Sequence, residues 1–245
     1  MSAHVMDKKG RWQIRVAEWA MAWAPSPEEV LVQTLNPIKV LRDDRRSRVL
    51  LCDSLSGAQT GPWVVKRPVE KDDSFWIRLT TLYRRGEANR MFSSAQDMIV
   101  SGIPVPDAIM QFERRRFGMI VESWFVYRYV PGKRCEERHL PQVISVLNML
   151  HHKGLYHGDP HPNNWLQSDD GVVALDMNPR SKKAHGFWRA YDFVLLERHS
   201  SKVVGLIDVD SMNWHLAKTY LALIQKWRTI KYNVKITFRS ICNNI

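Results

Sequence analysis

The segment His157-Gly158-Asp159-Pro160-His161-Pro162-Asn163-Asn164 constrains this chain more than any other. Its glycine and prolines punctuate it, so it reads as a loop of fixed shape. It presents a carboxylate, Asp159, and five positions later an amide, Asn164. Phosphoryl transfer to a hydroxyl needs that pair: a carboxylate to accept the hydroxyl proton and an amide oxygen to hold a metal. Asp176, at the end of the short strand predicted over residues 171–176, supplies a second carboxylate for the metal. Mg²⁺ favours carboxylate oxygens, phosphates and water, which this set provides. The same loop admits a rival reading. His157, Asp159 and His161 alternate, and in an extended chain they would face one side as a transition-metal site.

An upstream lysine decides between the two. Lys66 closes the predicted strand Trp63-Val64-Val65-Lys66, where it can neutralise the α- and β-phosphates of ATP. A glutamate on the following helix must orient it, and Glu87 is the natural partner. A metal hydrolase has no use for such a lysine. One part is missing. The turn Arg42-Asp43-Asp44-Arg45-Arg46-Ser47 has no glycine, so the glycine-rich loop that lets amides approach phosphates is absent; either arginine side chains substitute as donors or ATP is held more loosely.

The order of elements agrees with a two-lobed α+β fold of the protein-kinase-like kind, with a small strand-rich N-lobe and a mainly helical C-lobe. Strands are predicted over residues 38–41, 48–52 and 63–66, a helix over 77–100, and strands over 108–113 and 119–129. Val130-Pro131-Gly132 breaks the pattern and reads as a hinge. Helices follow over 141–151, 187–199 and 211–226, and the tail from Thr229 fits a strand or a frayed helix. Residues 1–35 read as an N-terminal helical extension, 36–130 as the N-lobe and 131–245 as the C-lobe. In the extension, Trp19 and Trp23 stand four apart, on one helix face that either packs on the body or anchors at a membrane interface.

Composition narrows the partners. With 36 basic and 25 acidic residues the formal charge is +11, which favours polyanions: nucleic acid, an anionic membrane face or a phosphorylated substrate. No nucleic-acid-binding motif supports the first. Cys52, Cys135 and Cys242 show no CxxC spacing, so a zinc ribbon or disulfide framework is not indicated and reduced thiols are expected. No secretory signal and no uncharged apolar run of membrane-spanning length is seen, so any membrane association would be peripheral.

The segment HGDPHPNNWL, followed by GVVALDMN, resembles the lipopolysaccharide core heptose(II) kinase family, and the likeness continues over residues 189–199 in RAYDFVLLERH. It covers roughly residues 38–200 and is clearest after Leu150. It implies phosphorylation of an inner-core heptose, using ATP and Mg²⁺, at the cytoplasmic face of the bacterial inner membrane. It carries Asp159 over as base, Asn164 and Asp176 as metal ligands and Lys66 as the phosphate-binding lysine. Asp192 would correspond to the aspartate that braces the catalytic loop in protein kinases. The short interval from Asp176 to Asp192 leaves no room for a long activation segment, which suits a small hydroxyl acceptor. His157 and Asp176-Met177-Asn178 depart from the protein-kinase pattern. The loop also resembles aminoglycoside and choline phosphotransferases; a cationic aminoglycoside would call for an acidic cleft, against the basic balance here. The ubiquinone-biosynthesis kinases share D-P-H-P-x-N, but their K-x-G-Q motif is absent. A non-catalytic pseudokinase is the remaining alternative, raised by the glycine-free turn.

Overall fold

The computed structural model describes residues 12–53, 61–175, 186–207, 209 and 211–243, with side chains described as far as residue 233. The chain divides into two compact units. The first runs through Lys133 and takes back the segment from Leu166; the second spans Arg134–Trp165 and resumes in the last two helices. The division falls beside the Pro131-Gly132 break. Gly132 has a reason to be glycine: a Cβ there would lie 2.4 Å from the carbonyl oxygen of Gln167.

The first unit is built on an antiparallel sheet of β1 (Trp12–Val16), β2 (Lys39–Asp43), β3 (Arg48–Cys52), β4 (Trp63–Arg67), β5 (Ala108–Arg116) and β6 (Met119–Arg128). Their order is β1-β5-β6-β4-β3-β2. The helices are α1 (Pro27–Leu35), α2 (Val69–Asp73), α3 (Phe75–Thr80) and α4 (Glu87–Val100). Leu50, Trp63, Val65, Met91, Phe92, Ala108, Met110, Phe112 and Val126 form its core, drawn from the sheet and one face of α4. α1 starts where Ser26 and Glu29 cap each other's backbone amides, after the Pro25 break.

Two expectations are corrected here. Residues 12–24 are not a helical extension. Trp12–Val16 is a strand paired with β5, followed by a single 3-10 turn, Glu18–Ala20. The alternation Trp12, Ile14, Val16 against Gln13, Arg15 is a period-two signal that outweighs the tryptophan spacing. The tryptophan pair packs on the body: the rings lie 5.2 Å apart, Trp23 rests on the core and the Arg128 guanidinium sits 5.0 Å over Trp19. The single helix expected over 77–100 is two, α3 and α4. The chain breaks between them because Thr81 turns its hydroxyl to the Arg78 carbonyl and accepts from the Ile120 amide, and because Gly86 presses against β6. A Cβ on Gly86 would meet Ile120 Cδ1 at 2.4 Å.

Asp72 pins α2 to the sheet. Its carboxylate accepts from the Ser123 amide at 2.7 Å and the Ser123 hydroxyl at 2.9 Å. Burial pushes the carboxyl up to about 6, against the pull of those bonds. The folded state therefore holds the proton more tightly than the unfolded chain. The associated stability is full below 3.8 and is lost as pH rises through about 6. Asp72→Asn should flatten the pH dependence of melting across that window. Asp72→Ala, which orphans the buried amide, should cost about 2–3 kcal/mol in denaturant titrations.

The second unit opens next to β7 (Lys133–Arg134) with α5 (Leu140–His152). Val143, Val146, Leu147 and Leu150 are buried along one face of α5. The strands β8 (Trp165–Ser168) and β9 (Gly171–Ala174) are neighbours and lead the chain back into the first unit. α6 (Gly186–Glu197) packs on α7 (Met212–Asn243) through Ala190, Val194, Trp214, Ala217 and Leu221. The tail from Thr229 continues α7 as helix. Cys52 and Cys135 are free, and burial pushes both thiols up to about 11, so neither is a reactive thiolate at neutral pH.

Candidate active site

In the second unit, the loop after α5 is shaped by one buried carboxylate. Asp192, on α6, is fully buried. It accepts from the amides of His157 and Gly158, each at 2.7 Å, and lies 3.0 Å from His151 Nε2. Gly158 takes the left-handed φ of +78° that such a turn demands and that glycine adopts without strain. His157 is buried with its ring 5.1 Å from that of Trp165, and its Nδ1 accepts the Asp159 amide at 3.3 Å. The Asp159 carbonyl accepts from the His161 amide and from Asn164 Nδ2, each at 2.8 Å. The backbone of Asp159 is thus fixed from three directions while its side chain is exposed.

Asn164 is oriented by the same contacts. Donation from Nδ2 to the Asp159 carbonyl assigns the other end of the amide, Oδ1, as the acceptor. An amide oxygen held in that way fits a hard cation such as Mg²⁺. The H-x-D-x-H transition-metal reading fails. The turn at Gly158 destroys the extended geometry it requires, and among the described residues no group of three His, Cys, Asp or Glu side chains is placed to hold a metal ion.

In the first unit, Lys66 lies on β4 between two strands, opposite Val49 of β3 and Phe125 of β6. It shares a largely apolar pocket with Met91 and Ala95 of α4, Phe125 and Tyr127 of β6, and Leu175. Glu87 opens α4 on the same helix face as Met91 and Ala95, at i, i+4 and i+8, one turn from the lysine's neighbours. Its side chain is only 13% exposed and pairs with Arg90. Asp176, and with it most of the interval up to Asp192, lies outside the described residues. Leu175, the residue before it, lines the Lys66 pocket, and the amide of Ala174 is held by the Pro104 carbonyl at 3.0 Å.

The glycine-free turn has its own occupant. The Asp44 carboxylate accepts from the amides of Arg46 and Ser47 at 2.8 and 2.9 Å and pairs with Arg42 Nε at 2.7 Å. These contacts hold the carboxyl below its usual range, the Ser47 amide foremost. Two amides that a glycine-rich loop would offer to a nucleotide are satisfied internally, and Arg42 of the turn is itself paired with Asp44.

The residue missed in the sequence is His199. Its ring packs on that of His161 at 4.1 Å. Burial lowers its pKa, reinforced by His161, while the nearby Asp159 carboxylate pulls the other way. The signal was present in the Glu197-Arg198-His199 end of the family likeness, but no local pattern ties a histidine so far along the chain to Asp159. Arg134 was likewise missed; it donates to the Asn163 side-chain oxygen at 2.8 Å.

A strand-rich unit carrying the lysine and a helical unit built round an aspartate-anchored H-x-D loop is the arrangement of the protein-kinase-like phosphotransferases. The solved structure of WaaP in complex with acyl carrier protein has this fold, aligning with a TM-score of 0.52 at 18% identity over 84% of this chain and 88% of its own. The chain belongs to the family described as lipopolysaccharide core biosynthesis protein (WaaY), which it matches over residues 26–226. Two curated relatives are lipopolysaccharide core heptose(II) kinases WaaY. That of Escherichia coli (strain K12) is 24% identical over 178 residues, covering 70% of this chain and 74% of the relative. Another from Escherichia coli is 25% identical over 180 residues, covering 70% and 75%.

Proposed function

We propose that the chain transfers the γ-phosphate of ATP to a hydroxyl of a heptose in the inner core of lipopolysaccharide. The observation that carries the reading is the loop geometry: Asp159 is held through its backbone and is exposed, and Asn164 Nδ2 is bonded to its carbonyl, which leaves Oδ1 as the acceptor end. Family membership supplies the acceptor class.

In the proposed reaction Asp159 hydrogen-bonds the acceptor hydroxyl and takes its proton as the oxygen attacks the γ-phosphorus. The bond from γ-phosphorus to the β-bridging oxygen breaks in line, and ADP leaves. Lys66, oriented by Glu87, binds the α- and β-phosphate oxygens. Asn164 Oδ1 and Asp176 would hold Mg²⁺, which when bound neutralises phosphate charge and aligns the β- and γ-phosphoryl groups. Asp192 acts through the loop by fixing the amides of His157 and Gly158. The work is done at the cytoplasmic face of the inner membrane, where ATP is available and a basic surface meets anionic lipid. Among the described residues no helix is long and apolar enough to cross a membrane, and the proposed contact with the lipid is peripheral.

Lys66→Met removes the cation and keeps the length of the side chain. It should lower kcat/KM for ATP by about 10- to 100-fold, the worth of one charge-assisted contact, with a larger share in KM than for a change at Asp159. The acceptor is tested with labelled ATP against dephosphorylated core oligosaccharide, an aminoglycoside and choline in parallel. Label should enter only the core. Label in the aminoglycoside or choline instead would sink the acceptor assignment, and no label anywhere would point to a pseudokinase.

A further inference from the structure

The surface that stands out beyond this chemistry is on α3 and the turn after it. Phe75, Trp76 and Tyr83 are 61%, 75% and 72% exposed, and Leu79 and Leu82 lie exposed between them. Their spacing, with the turn still winding helically through Leu82, Tyr83 and Arg84, sets them on one side of the segment. Ile77, Thr80 and Thr81 face the opposite way, into the body of the unit. The amphipathic pattern is inverted: the apolar side looks outward.

A second element extends this face. The tip of the β5–β6 hairpin, Arg116-Phe117-Gly118, lies beside Leu82; a Cβ on Gly118 would be 2.9 Å from Leu82 Cδ2. Phe117 at that tip is 81% exposed. Arg115 ties the two elements together, donating to the carbonyls of Thr81 at 2.9 Å and Gly118 at 2.7 Å. The face is therefore preformed rather than assembled on contact.

The charge around it is mainly positive, and the exposed Asp73 beside α3 is paired with Arg67 and Arg78. Arg84 lies over Tyr83 at 5.6 Å and Arg116 over Phe117 at 5.4 Å, each cation next to an exposed ring. Behind them Lys71, Arg84, Arg85 and Arg90 line a cavity of about 380 Å³. Its carboxylates are already engaged: Asp72 with Ser123 and Glu87 with Arg90. Exposed aromatic rings among cations match the boundary of an anionic bilayer, where rings sit at headgroup depth and each arginine or lysine adds attraction to lipid phosphate.

We propose that the face formed by Phe75, Trp76, Leu79, Leu82, Tyr83 and Phe117 docks on an anionic lipid bilayer, with the cavity beside it receiving lipid phosphate. The inference rests on the membrane location given above, and its test reads lipid binding apart from phosphate transfer. The full chain is sedimented with vesicles of phosphatidylcholine alone and of equal parts phosphatidylcholine and phosphatidylglycerol. The wild type should bind the second and not the first, less so at high salt. Partition should fall about tenfold or more in Phe75→Ser/Trp76→Ser/Tyr83→Ser and in Arg84→Glu/Arg85→Glu/Arg116→Glu. Both variants should keep wild-type phosphorylation of lipid-free core oligosaccharide, which shows that they are folded. Vesicle binding that both variants retain, or none by the wild type, overturns the proposal. So does capture of an acidic protein through these arginines without vesicle binding, which would assign the face to a protein partner.

Discussion

Replacing Asp159 by alanine is expected to cut turnover by about a thousandfold or more while ATP affinity stays within a few-fold of wild type. The asymmetry follows from where the residue acts. In the proposed reaction its carboxylate meets the acceptor hydroxyl, whereas its backbone, which shapes the loop, is unchanged by the substitution. The carbonyl that receives Asn164 Nδ2 and the amide that reaches His157 both survive. The nucleotide contacts proposed for Lys66 and the metal ligands should therefore be spared. Asp159→Asn should be nearly as damaging, because an amide keeps the size and loses the proton acceptor. The check is a steady-state assay beside nucleotide titration. Turnover of Asp159→Ala near the wild-type value would remove the residue from the reaction.

Asp192→Ala should damage both stability and turnover. The substitution leaves two buried amides, those of His157 and Gly158, without an acceptor and takes away the partner of His151. The cost is about 3–5 kcal/mol, which for a chain of this size lowers the melting temperature by roughly 10 °C. Turnover should fall by about a hundredfold, because a displacement near 1 Å of the loop carrying Asp159 spoils the alignment of the hydroxyl. A purely structural role predicts that activity follows the folded fraction. A positioning role predicts a lower kcat even at temperatures where the variant is fully folded, with KM for ATP little changed. Asp192→Asn, which keeps one acceptor oxygen, should recover much of the stability and only part of kcat.

What was legible in the sequence was the class of reaction and the strands β2 to β6 and β9. The Asp159 to Asn164 spacing is local, and a local pattern survives folding: Asn164 does reach back to Asp159. The β5–β6 hairpin and α5 were likewise visible, because turn residues and apolar periodicity mark them without help from the rest of the chain. What was not legible depended on tertiary contact. The strand Trp12–Val16 looked helical because the tryptophan spacing drew attention from the alternation that pairs it with β5. The break between α3 and α4 arises where Gly86 meets Ile120, a contact invisible before β6 is in place. His199 joins the neighbourhood of Asp159 only because α6 returns there after its aspartate has gripped the loop. The outward exposure of the apolar side of α3 has no signature in the sequence, since an outward apolar face has the same periodicity as an inward one.

The most direct test of the account is the position of the phosphate on the product. Core oligosaccharide lacking heptose phosphate is incubated with ATP, Mg²⁺ and the full chain, and the product is examined by phosphorus-detected NMR correlation. A new phosphomonoester on a heptose ring, dependent on Asp159, is the result the account predicts. Phosphate on another sugar or on the protein, or release of free phosphate with the core unchanged, would contradict it.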